Sequence, residues 1–148
     1  MKFTFQTAML CQPDCPKRAL FKPALDLLSQ EFDLKQQQIC IRIVDNAESQ
    51  SLNKQFRGKD TPTNVLSFPF KEEHYLGDLI LCHPVIQKEA RLQHKPIAEH
   101  YQHLLIHGLL HLLGFNHETD EDAAAMEQLE IELLSTLHIA NPYKAHHD

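Results

Sequence analysis

The run IAEHYQHLLIHGLLHLL at 97–113 is too apolar for a helix that lies on a surface. A helix that is apolar nearly all round has to be wrapped by other elements, so this one must run through the middle of the core. The rest of the chain must be arranged about it. Pro96 suits the first turn of such a helix, because its missing N–H has no helical partner there, and Gly114 ends it. A chain of 148 residues can bury one core without disulfides or a structural metal, so a bound metal would be free to serve function.

The remaining elements follow from pattern. KFTFQT alternates apolar and polar residues as a strand does, and 16–32 predicts a helix interrupted or begun at Pro23. Ile39, Ile41 and Ile43 alternate with Cys40, Arg42 and Val44 in a second strand, after which Asp45 or Asn46 can cap a short helix ending at Gly58. The polar stretch RGKDTPTN leads into VLSFPF, a strand that Pro69 assigns to an edge or an end. LGDLILC is a further strand, and His83 with Pro84 opens a helix through about Gln93. A last helix, 121–137, is expected to bury Ala125, Met126, Leu129, Leu133 and Leu134 and to present its acids to water. These elements predict one α+β domain over 1–148, with a mixed sheet of about four strands packed with helices and a short tail from about 141.

Composition narrows the function classes. With 43% hydrophobic and 23% charged residues the chain is an ordinary folded protein. Its N-terminus is too short in apolar run for a signal peptide or membrane span, so a soluble, cytoplasmic protein is expected. Cys11, Cys15, Cys40 and Cys82 lack the spacing of a disulfide framework, which agrees with a reducing compartment. Cys11 and Cys15 could pair as ligands, but loop and core thiols is the preferred reading. The net charge is -6, yet residues 1–95 carry 13 Lys and Arg against 11 acids, whereas 96–148 carry one Lys against nine. A local basic surface is therefore open to the first stretch.

The chemistry sits at the end of the apolar helix. His107 and His111 are four apart and share a face, Gly114 permits a reversal, and His117 follows three residues later. Two buried imidazoles on one face are costly unless something satisfies their nitrogens. Three converging nitrogens suit one zinc per chain with a fourth position open, the arrangement of a catalytic site. His100 and His103 share that face and offer competing pairs, but the Gly114 turn favours the later one; His103 then either stands behind the ligands or lines the cleft, and His100 lies further out. In the longer zinc-protease signature a Glu follows the first His as general base. Gly108 stands there and cannot do that work.

HGLLHLLGFNH, taken with RGKDTPTNVLSFPF and LGDLILC in that order, resembles the YbeY family of bacterial metal-dependent endoribonucleases over about residues 37–137. The resemblance implies that His107, His111 and His117 ligate zinc on a central, zinc-hydrolase-like helix. It also implies that Arg57 lies in the same cleft as a catalytic residue. Further, it implies cleavage of single-stranded RNA, maturation of the 3′ end of small-subunit ribosomal RNA and ribosome quality control, with ribosomal RNA and the small subunit as partners and neither membrane nor DNA. Many relatives have Asp before the third His, where this chain has Asn116, an amide without charge.

Lys54, Arg57 and Lys59 cluster in the loop region, and Lys88, Arg91 and Lys95 are spaced for one helix face, so a phosphate backbone could be met electrostatically, although a plain solvated face accounts equally well for the last three. Glu118, Asp120 and Asp78 are candidates for a general base, each also suited to a surface or capping role. Two rivals stand beside the nuclease: a metal-dependent hydrolase of another substrate such as a peptide, and a zinc-containing ribosome assembly factor without catalysis.

Overall fold

The computed structural model describes residues 1–8 and 15–144. Four strands, β1 (Lys2–Thr7), β2 (Gln38–Val44), β3 (Val65–Glu72) and β4 (Tyr75–Cys82), form one sheet in the order β1-β2-β4-β3. β1, β2 and β4 are parallel, and β3 returns antiparallel along β4. The edge position expected from Pro69 is where β3 lies. The helices are α1 (Lys22–Phe32), α2 (Asn46–Arg57), α3 (His83–Leu92), α4 (Ile97–Leu112) and α5 (Asp120–Thr136). The mixed four-strand α+β fold expected from pattern is the one observed.

Period-two alternation divides the core between the two faces of the sheet. Ile39, Ile41, Ile43, Leu79 and Leu81 join α1, α4 and α5 residues in the main cluster. Val44, Leu66, Ile80 and Cys82 face the other way, with Leu52 of α2 packed against them. α4 runs through the main cluster as its apolarity demands, with Tyr101, Leu105, Ile106, Leu109 and Leu110 all buried. No helix among the described residues is long and apolar enough to cross a membrane.

α2 is different in kind, because its buried residues are Ser49 and Asn53. The Ser49 hydroxyl donates to the Thr63 carbonyl and accepts from the Thr63 N–H, and Asn53 Nδ2 donates to the Thr61 carbonyl at 2.8 Å. Two polar side chains thereby fix the RGKDTPTN loop against the helix that precedes it. Asp45 caps α2 by accepting from the Glu48 N–H at 2.9 Å, and Gly58 closes it in the left-handed conformation.

Four expectations need correction. Ala125 is exposed and Leu129 only half-buried, because the inner stripe of α5 runs Met126, Glu130, Leu133, Leu134 and leaves position 125 off its edge. Glu130, counted among acids facing water, is fully buried. Lys95 lies beyond the end of α3, so it does not extend a stripe from Lys88 and Arg91 on that helix. Cys15 is disulfide-bonded, not a free thiol, whereas Cys40 and Cys82 are free; Cys11 lies outside the described residues.

Candidate metal centre

Helical spacing sets His107 directly below His111, with their rings 4.6 Å apart. The helix ends at Leu112, and Gly114 then adopts φ 103°, a conformation that L side chains rarely take. Phe115 N–H returns to the Leu110 carbonyl at 3.0 Å, which turns the chain back across the helix end. His117 arrives with its ring 5.1 Å from His107 and 4.9 Å from His111. One nitrogen from each of the three lies within 4.8 Å of the others.

The second nitrogens decide what this cluster can hold. His107 Nδ1 is 3.0 Å from Glu130 Oε2, and His111 Nδ1 is 2.9 Å from the Phe115 carbonyl. A carbonyl and an ionised carboxylate can only accept, so both Nδ1 atoms carry the proton. Both Nε2 atoms are then lone pairs, and they face each other at 3.1 Å. No neutral hydrogen bond can join two lone pairs. Burial, followed by the neighbouring His107, lowers the affinity of His111 for a further proton. A metal cation would resolve the conflict. Two imidazoles on one tetrahedral zinc stand about 3.3 Å apart, given bond lengths of about 2.0–2.1 Å, and the donor set fits that ion.

Glu130 went unrecognised in the sequence. Its Oε1 accepts from His103 Nε2 at 2.8 Å and from the Tyr143 hydroxyl at 2.7 Å, while Oε2 takes His107. Burial alone would raise its pKa, but the bonds from His103, His107 and Tyr143 outweigh burial and hold it at about 2. His103 thus stands next to the cluster and outside it. His100 is further away, 2.8 Å from Glu89 Oε1 on α3. The one available signal was Glu130 at i+4 from Met126 and i−4 from Leu134, a carboxylate in an otherwise apolar stripe. Tyr143 belongs to the segment read as a short tail, and it packs back onto that carboxylate.

Arg57 is exposed at the end of α2, and its Nη2 donates to the Ser67 carbonyl of β3 at 2.8 Å. Ser67 Oγ donates in turn to the Gly108 carbonyl of α4 at 3.0 Å. The guanidinium is thereby tied to the strand that lies beside the histidine helix, 5.3 Å from the Phe68 ring. Gly108 permits that approach: a Cβ there would lie 2.9 Å from Leu79 Cδ2 and 3.2 Å from Ser67 Oγ. The position faces the sheet, so a general-base Glu could not be placed there without displacing the core.

Of the other candidates, Asp78 accepts from the Tyr75 hydroxyl and Asp120 opens the first turn of α5. Glu118 is exposed, and its N–H donates to Asn116 Oδ1 at 3.0 Å, so the amide closes a local turn. Lys54 is paired with Asp60 at 3.8 Å on the surface. A groove of about 1210 Å³ along β1, lined by Lys2, Phe3, Arg18 and His74 among others, contains none of the three histidines.

Comparison with known proteins converges with the site. A family model described as Endoribonuclease YbeY matches residues 12–138. Endoribonuclease YbeY of Alteromonas mediterranea is 52% identical over 117 residues, covering 76% of this chain and 74% of that one. The Francisella tularensis subsp. tularensis protein of the same name is 43% identical over 137 residues, covering 86% and 85%. A solution structure from Thermotoga maritima superposes with a TM-score of 0.59 at 24% identity, over 97% of this chain and 99% of that one, and speaks for the fold. With the match spanning the loop, both hairpin strands and all three histidines, the chain belongs to the YbeY family.

Proposed function

We propose that this chain is a zinc-dependent endoribonuclease that hydrolyses phosphodiester bonds in single-stranded RNA. The observation that carries the metal reading is the pair of lone pairs aimed at each other from His107 and His111, with His117 closing the third side. Those three residues would hold one zinc. The family and its relatives' names support RNA as substrate. Within that reading the RNA is the 3′ end region of small-subunit ribosomal RNA, and the small subunit is a partner. A cytoplasmic location follows from that substrate.

The bound ion would supply a Lewis acid for a phosphoryl oxygen or an attacking water. His107 and His111 present basic nitrogens whose direction is set by the bonds at Nδ1, so little reorganisation is needed on binding. Arg57 sits one hydrogen bond from β3 and is exposed, free to exchange the Ser67 carbonyl for phosphate oxygens. Its planar fork would then meet negative charge as it grows at phosphorus. The packing of Gly108 against Leu79 and Ser67 argues against peptide hydrolysis by the longer zinc-protease route.

The direct test is to incubate protein of measured zinc content with single-stranded and duplex RNA, with and without chelator. Cleavage of the single strand, lost with chelator and restored by zinc, is expected. Cleavage indifferent to metal removal would overturn the reading.

A further inference from the structure

We propose that Glu130 is a positioning residue for the histidine cluster, fixing which nitrogen of His107 is bare and where it points, and that His103 and Tyr143 hold Glu130 in place. The inference rests on His107 being a metal ligand, and it adds a group from α5 and one from the segment after it.

A carboxylate with no exposure is not retained in an apolar helix stripe for packing, because an uncompensated charge is strongly disfavoured there. Here compensation is complete in kind. Oε1 receives two donors, His103 Nε2 and the Tyr143 hydroxyl, and Oε2 receives one, His107 Nδ1. Only the third donor belongs to the cluster. The other two prevent the carboxylate from rotating away from it, since any rotation would break bonds to two rings on two different segments. His107 could in principle carry its proton on either nitrogen. With an acceptor at 3.0 Å from Nδ1 the proton is held there, and Nε2 is left bare toward His111 and His117.

Charge adds to orientation. Three neutral imidazoles leave a divalent ion with its whole charge in a partly buried site. Glu130 places one negative charge a single hydrogen bond behind His107, which raises the basicity of the ligating nitrogen. The contact cannot be replaced by solvent, because the carboxylate is fully buried.

The first measurement uses metal-free wild-type protein and ¹⁵N-labelled histidine, read by NMR above neutral pH. His107 should show the Nδ1–H tautomer with a strong hydrogen bond, and an Nε2–H tautomer would overturn the proposal. This result does not depend on zinc or RNA, so it can fail while the nuclease reading stands, and the reverse. The second measurement is zinc affinity by competition with a chromogenic chelator. Glu130→Gln should weaken zinc about 10–100-fold, since an amide can still accept from Nδ1 but carries no charge. Tyr143→Phe, at a site 41% exposed and so safe for folding, should weaken zinc several-fold. Should Glu130→Gln fail to fold, Tyr143→Phe decides the matter. Wild-type zinc affinity in every folded variant would reduce Glu130 to a packing role.

Discussion

Two glutamates, Glu89 and Glu130, meet histidines of α4 in similar geometry and with different consequence. Near its start, His100 Nε2 meets Glu89 at 2.8 Å, and the same carboxylate takes Asn64 Nδ2 at 3.1 Å. That pair ties α3, α4 and the loop before β3 into one frame. Near its end, Glu130 takes His103 and His107, and His107 passes the constraint on to a lone pair facing His111. The chemistry of each pair is the same. What sets the second one apart is that the other nitrogen of His107 stands in company with those of His111 and His117.

The largest effects are expected at the cluster. His107→Ala, His111→Ala and His117→Ala should each lose nearly all bound zinc and nearly all RNA cleavage, because each would take away one of the three proposed ligands. His100→Ala should keep the zinc. Metal analysis and RNA cleavage by the four proteins decide it: wild-type cleavage by His111→Ala would remove the cluster from catalysis, whereas normal ribosomal RNA processing in cells that carry only His111→Ala would favour an assembly factor without catalysis.

A smaller loss is expected at Arg57, which belongs to neither pair. Arg57→Ala should keep zinc and fold and lose about thirty- to a thousandfold in cleavage rate, or about 2–4 kcal/mol of barrier, by analogy with loss of one oxyanion donor. Its bond to the Ser67 carbonyl is exposed, so little stability goes with it. Arg57→Lys should recover part of the rate, since a point charge lacks the fork. Equal rates for Arg57→Ala and wild type, at matched zinc content, would remove it from the site.

Much of this arrangement could be read in advance, and the reason is periodicity. The four-residue spacing of His107 and His111, and Gly114 before His117, are local facts of helix geometry; alternation located β1 and β2, and short apolar runs located β3 and β4. Arg57 came into view through the resemblance of its motif. The buried carboxylate was opaque because an acid in α5 looks the same in sequence whether it meets water or a histidine 23 positions earlier. Its identity depends on the crossing of two helices, which no window along the chain contains. Ala125 was misjudged for the same reason, since the stripe of α5 is centred by Glu130 and not by the apolar residues alone. The tail was discounted because Tyr143 acts through one hydroxyl over 13 residues of separation.

The framework pair should show itself in stability rather than in metal. Burial pushes the Glu89 carboxyl up, but the bonds from His100 and Asn64 outweigh it and hold it below the ordinary carboxylate range. A depressed folded value contributes stability that is present above the unfolded pKa of about 4.3 and is lost as pH falls through the folded one. Glu89→Gln should therefore cost about 1–2 kcal/mol near neutral pH, flatten the loss of stability below about pH 4, and leave zinc affinity unchanged. Denaturant melts at several pH values read the first two effects. A tenfold drop in zinc affinity would mean that the two pairs are one network.

The smallest effect is expected where a charge is added near the cluster without a bonded histidine to carry it. Asn116 precedes His117, and its Oδ1 is already used by the Glu118 N–H, a bond that a carboxylate would make equally well. Asn116→Asp should thus preserve the turn and add one negative charge in a half-buried position. Acting through a largely aqueous path, that charge should be worth about 0.5 kcal/mol, or roughly a two- to threefold gain in zinc affinity, diminished by salt. Glu130 differs because its charge reaches the ligand through a sealed hydrogen bond at 3.0 Å. The ratio of the two effects, read by the same chelator competition, therefore measures what the bond adds beyond proximity. A gain of tenfold or more from Asn116→Asp, persisting at high salt, would show that a carboxylate before the third histidine does the same work as the one behind the first.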